Sequence, residues 1–152
     1  MATAGTHYPG NAGSNPVTPL VLIVSGSRGF IGALRWARAF KMLDDLWAKY
    51  PDMHVYCGEA REGADQMCKW WARNRGFVRR GKYTGFPVTR ADWEQHGKAA
   101  GILRNCKMAA AGATHVLAFW DGTSPGTAHM IAEGTRRFGE KHVHVVKYEE
   151  WK

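Results

Sequence analysis

The stretch "LVLIVSG", residues 20–26, constrains this chain more than any other. Leu20 to Val24 form an unbroken aliphatic run of strand length that stops at Gly26. A strand with no polar face must be covered on both sides, as the central strand of a parallel sheet is. Parallel strands need a crossover, and the following residues supply one: Trp36, Phe40, Leu43 and Trp47 fall at i, i+4, i+7 and i+11. That spacing predicts an amphipathic helix over about 31–49.

The strand, turn and helix then recur. "MHVYCG" is a short strand ending at Gly58, and Ala64, Met67, Trp71 and Arg75 share one stripe of a helix that begins near Gly63 and stops at Gly76. An extended segment at 83–88, a third helix from Gly97 to Ala111, a buried strand "THVLAFW", a fourth helix from Thr127 to Phe138 and a last strand "HVHVV" complete the pattern. Alternating strands and helices predict an α/β fold, a Rossmann-like open, mostly parallel sheet of about five strands flanked by helices on both faces. Residues 1–18, rich in Gly, Ala, Thr, Asn, Pro and Ser, are expected to be a disordered tail before one domain at 19–152.

Composition narrows the partners. The longest uncharged apolar run falls far short of the roughly 20 residues of a membrane span. Nor does the N-terminus show the basic-then-apolar order of a signal peptide, so a cytoplasmic location and no membrane partner are expected. Cys57, Cys68 and Cys106 are odd in number and widely separated, and His142 and His144 merely alternate with valines; no metal site and no cofactor are expected. The net charge of +8 favours anionic partners. Arg73, Arg75, Arg79, Arg80 and Lys82 form the densest basic stretch, which reads as a solvated face or as a nucleic-acid contact.

In an open parallel sheet, ligands bind beyond the carboxyl ends of the strands. The loops that reach this edge are "SGSRGF" (25–30), "GEAREGAD" (58–65) and "WDGTSPGT" (120–127), each combining glycine with hydroxyls, arginine or a carboxylate. Glycine admits close backbone approach, and free amides at a helix start suit a phosphate. Neither GxGxxG nor GxxxxGK[ST] is present, which argues against an NAD fingerprint or a P-loop. A fourth stretch, "ADWEQHGKAAGILRNCKM" (91–108), spaces Gly97, Gly101 and Arg104 as one helical stripe, so Arg104 could pair a phosphate bidentately, with Asn105 beside it. Trp93 and Trp120, placed in loops, are candidates for stacking on a base.

These four motifs, in this order, closely resemble the YspA-like (cpYpsA-related) branch of the SLOG superfamily, over about Leu20 to Val146. Related members include the LOG and lysine-decarboxylase-like phosphoribohydrolases and the DNA-processing protein DprA. The resemblance implies a Rossmann-like sheet with a pocket for a nucleotide or its derivative, homo-oligomers (dimer or higher), and a bacterial or phage source. It makes Gly26, Ser27 and Arg28 the first phosphate loop and places Gly58, Arg61, Gly63 and Asp65 beside it. "DGTSPGT" stands where LOG enzymes have PGGxGT, so Gly122, Ser124, Gly126 and Thr127 would grip a phosphate or phosphoribosyl group. Arg104, four residues before Met108, matches the LOG arginine.

One position departs from that pattern. LOG hydrolases carry a catalytic glutamate three residues after the threonine, and here that residue is Met130, which cannot relay a proton. Binding of a nucleotide derivative, for sensing or sequestration, is therefore the leading expectation. The alternative is a phosphoribohydrolase or N-glycosidase using Arg104 with Asp121, Glu59 or Asp65 as the relocated carboxylate; Glu133, six residues beyond Thr127, lies roughly 9 Å further along the helix. A third reading is DprA-like binding of single-stranded DNA through the basic stretch.

Overall fold

A computed structural model describes residues 19–151; the tail expected over 1–18 lies outside them. The chain forms β1 (Val21–Gly26), α1 (Ala33–Lys49), β2 (His54–Cys57), α2 (Ala64–Asn74), β3 (Tyr83–Gly85), α3 (Arg90–His96), α4 (Ala99–Ala110), β4 (His115–Trp120), α5 (Pro125–Phe138) and β5 (Val143–Lys147). Short 3-10 turns at Glu140–His142 and Tyr148–Glu150 flank β5.

The five strands make one sheet in the order β3-β2-β1-β4-β5, and every pairing is parallel. The aliphatic run is thus the central strand, with Leu22 opposite Val55 on one side and His115 on the other. Its alternate residues feed two cores. Leu22 and Val24 join Leu117, Phe119, Leu43, Met67 and Trp71 beneath α1 and α2. Ile23 joins Val116, Ala118, Met108 and Met130 beneath α4 and α5. A central parallel strand must be apolar at every position because each face meets a helical layer.

Two elements depart from the expected pattern. The helix expected over 97–111 is α4, but a separate and unexpected helix, α3, precedes it; Gly97 at φ +55° closes α3 before α4 starts at Ala99. Thr89 caps α3 with a reciprocal capping box to Asp92, a local signal strong enough to start a separate helix. Trp93 consequently lies on α3, 57% exposed, and Trp120 is the last residue of β4; neither is in a loop. The stripe linking Gly97, Gly101 and Arg104 is likewise interrupted, since Gly97 lies outside α4.

Candidate functional site

Ser27 organises the carboxyl edge of the sheet. Its amide donates to Phe119 O at 2.9 Å, and its carbonyl accepts from Phe30 N–H at 3.1 Å and Ala64 N–H at 3.2 Å. Its hydroxyl accepts from Asp121 N–H at 3.0 Å. One buried residue therefore ties together the three glycine-rich loops that follow β1, β2 and β4. Gly63 makes the closest approach: at φ +79°, its Cβ would lie 2.3 Å from Ser27 O. Arg28 and Arg61 are exposed on the rim, and Gly26 ends β1.

Asp121 shapes the third loop. Oδ1 accepts from Thr123 N–H at 2.8 Å and Ser124 N–H at 2.7 Å, while Oδ2 accepts the Ser124 hydroxyl at 2.7 Å. The Ser124 hydroxyl, then the Ser124 and Thr123 amides, hold the Asp121 carboxyl well below the usual carboxylate range. A carboxylate so engaged is a weak base, and it stays ionised with no proton to give near neutral pH. Because Ser124 spends its hydroxyl on Asp121, it makes no side-chain cap to α5. Pro125 occupies the first turn without an N–H, so the amides of exposed Gly126 and of Thr127 are the donors at this helix start. Gly122, at φ +88°, lies in the exposed turn.

Arg104 and Asn105 connect the other side. Arg104 Nη1 donates to Gly58 O and, at 3.4 Å, to Phe86 O, and Nε donates to Asn105 Oδ1 at 3.0 Å. A Cβ on Gly58 would come 2.7 Å from Arg104 Cζ, so a side chain there would push the guanidinium out of this seat. Buried Asn105 in turn donates to Gly126 O at 3.2 Å. The chain from Gly58 through Arg104 and Asn105 to Gly126 thus spans β2, α4 and α5.

Two carboxylates lie below. Asp65, at the start of α2, accepts from Ala60 N–H at 2.9 Å; burial pushes its carboxyl up despite that bond and the nearby Arg104 charge. Glu59 is the one non-glycine with positive φ among the described residues, at +58°. Its carboxylate accepts from Tyr83 Oη at 2.7 Å and faces Lys69 at 4.0 Å. Burial, above all, raises the Tyr83 hydroxyl, so the phenol stays a donor to Glu59. No spacing in the sequence signals the Glu59–Tyr83 pair, because the two meet only through the β2–β3 ladder. Met130, on α5, is fully buried in the core with Ile23, Met108, Val116 and Ala118.

A cleft of about 490 Å³ opens between the segment after β3 and helices α3 and α4. Phe86, Pro87 and Leu103 form apolar walls, and Arg104, Lys107 and Asp92 supply charge. Of the residues singled out from sequence, Arg104 alone lines it. The basic stretch is elsewhere: Arg73 lies in the last turn of α2, and Lys82 O accepts from Val55 N–H near the amino end of β2, the opposite edge of the sheet. Arg75 is paired with Asp44, and Arg80 lies over Trp47 and Phe77.

The sequence profile of the YspA, cpYpsA-related SLOG family matches residues 20–96. This chain belongs to that family. The match covers β1 through α3, hence the first two glycine-rich loops, and stops before Arg104 and the α5 loop. The Gene 61 protein of Mycobacterium phage D29 is 40% identical over 110 residues, 66% of this chain and 82% of that protein. No solved structure matches significantly. Membership in the SLOG superfamily points to nucleotide-related binding or a ribohydrolase-type role. Among the described residues, no helix is long and apolar enough to cross a membrane.

Proposed function

We propose that this protein binds a nucleotide or nucleotide-derived ligand at the carboxyl edge of its sheet, and holds it without cleaving it. The observation that carries the reading is the convergence of the three glycine-rich loops on Ser27, beside the uncapped first turn of α5. Amides at a helix start favour negative charge, and Arg104, fixed by Gly58 and Asn105, adds a rigid cation nearby. A phosphate would rest against Gly126, Thr127 and Ser124, with Ser27 and Arg28 on its other side. The adjoining cleft, with Phe86 and Leu103 on its walls, has room for the remainder of the ligand.

Retention without cleavage follows from the carboxylates. Met130 is apolar and buried, and Asp121 is committed to organising its own loop. The ribohydrolase reading draws its support from Glu59, whose left-handed backbone is the kind of strain that functional sites retain. Native mass spectrometry of the purified protein, incubated with nucleotides, NAD and ADP-ribose, decides between the two. We expect an intact ligand mass that is lost in Arg104→Ala, with no free base released. Base release that disappears in Glu59→Gln would establish the ribohydrolase instead.

A further inference from the structure

Cys106 on α4 and His129 and Glu133 on α5 bring a thiol, an imidazole nitrogen and a carboxylate oxygen within 4.8 Å of one another. We propose that these three side chains form a binding site for a divalent transition-metal ion of zinc type, clasping α4 to α5. One sulfur, one nitrogen and one oxygen donor suit the borderline softness of zinc. With bonds of about 2.0–2.3 Å, ligand atoms around a tetrahedral zinc lie roughly 3.4–3.6 Å apart. The observed spacing therefore needs an inward shift of about 1 Å, within reach of small side-chain rotations.

Each ligand is already oriented. His129 and Glu133 are four residues apart on α5 and so share one helical face. Asn105 Nδ2 lies 3.2 Å from His129 Nδ1 and steadies the ring; an ion takes the ring nitrogen that carries no proton, and at Nδ1 it displaces this contact. Glu133 is buried, and Arg136 Nη2 at 2.8 Å and Arg137 Nε at 2.6 Å both reach Oε2. Oε1 carries only the Arg136 Nε contact at 3.3 Å, which leaves it the oxygen open to an ion. The arginines orient the carboxylate, as outer partners of metal ligands do, although their charge opposes the cation. The Cys106 thiolate formed on binding supplies the second negative charge. Cys106 and His129 are half-buried, so the cluster is not closed off from solvent. No regular motif announces the site, because Cys106 meets the α5 pair only through packing of α4 on α5.

Cobalt(II) titration of the chelator-treated full chain tests the proposal, since a thiolate bound to cobalt gives a near-ultraviolet charge-transfer band. We expect one cobalt per chain with that band, displaced by zinc. The band should vanish in Cys106→Ser with the circular dichroism unchanged, and cobalt affinity should fall about tenfold or more in His129→Ala. Absence of the band, or its persistence in Cys106→Ser, would overturn the site; the second result would assign the metal to Cys57 and Cys68. The readout involves no nucleotide, so it stands apart from the test of ligand binding.

Discussion

Ser27 and Gly63 show how little freedom the candidate site has. Gly63→Ala would place a methyl group on the Ser27 carbonyl while holding a backbone at φ +79°. We expect a loss of about 2–3 kcal/mol in urea-induced unfolding, set by backbone strain and overpacking together. Asp121 predicts a pH effect. Its carboxyl is depressed in the fold, so the stability it contributes is complete above the ordinary carboxylate value of about 4 and is lost as pH falls below it. Asp121→Asn should therefore flatten the acid limb of a stability-versus-pH curve while leaving the neutral limb's slope unchanged. If the acid limb keeps its slope, the loop does not depend on that charge. The carboxylate turn was legible as a polar stretch with Asp121, but its use of the Ser124 hydroxyl was not, because capping of α5 was an equally good destination.

Helix α5 depends on how closely it lies on the sheet. In α5, a Cβ on Gly134 would come 2.6 Å from Val116 Cγ2. Helix propensity alone favours Gly134→Ala by about 1 kcal/mol, whereas forcing a methyl into a filled core costs about 1–3 kcal/mol. Packing should win, giving net destabilisation by thermal denaturation. Asn105 gives a second prediction for the same layer. Replacing it by alanine leaves Arg104 Nε without its acceptor and removes the tie to Gly126, at a cost of about 1–3 kcal/mol. Ligand affinity should weaken in the same variant, read by isothermal titration calorimetry, because Arg104 loses its fixed direction. Among the elements, β1, α1, α2 and β4 were legible from their hydrophobic period. Helix α3 was not: its seven residues are too few and too polar to show a hydrophobic period, and Trp93 reads as a loop residue until the Thr89 capping box is seen closed.

At the scale of the whole molecule, parallel topology separates two positive regions. Helix α2 runs from the loop edge back across the sheet, so Arg73, Arg79 and Lys82 lie at the opposite edge from Arg104. Surface charges separated by more than a Debye length, about 8 Å at physiological salt, are largely screened from one another. Replacing these three residues by alanine should leave nucleotide affinity within about twofold while reducing any salt-sensitive retention of single-stranded DNA. Loss of nucleotide binding in that variant would show that the two edges are coupled.

The sequence by itself determined the architecture, because a run such as Leu20–Val24 has few stable destinations other than a strand covered on both faces, and the helix stripes around it fix the layers. It also brought the glycine-rich loops to one edge, since that follows from parallel connectivity. Tertiary structure alone decided which polar groups meet there. Arg104 reaches Gly58, Glu59 meets Tyr83, and Cys106 approaches His129 and Glu133 across long separations in the chain. Such pairings depend on strand register and helix crossing, and a periodic pattern records which face a residue occupies without recording what it faces.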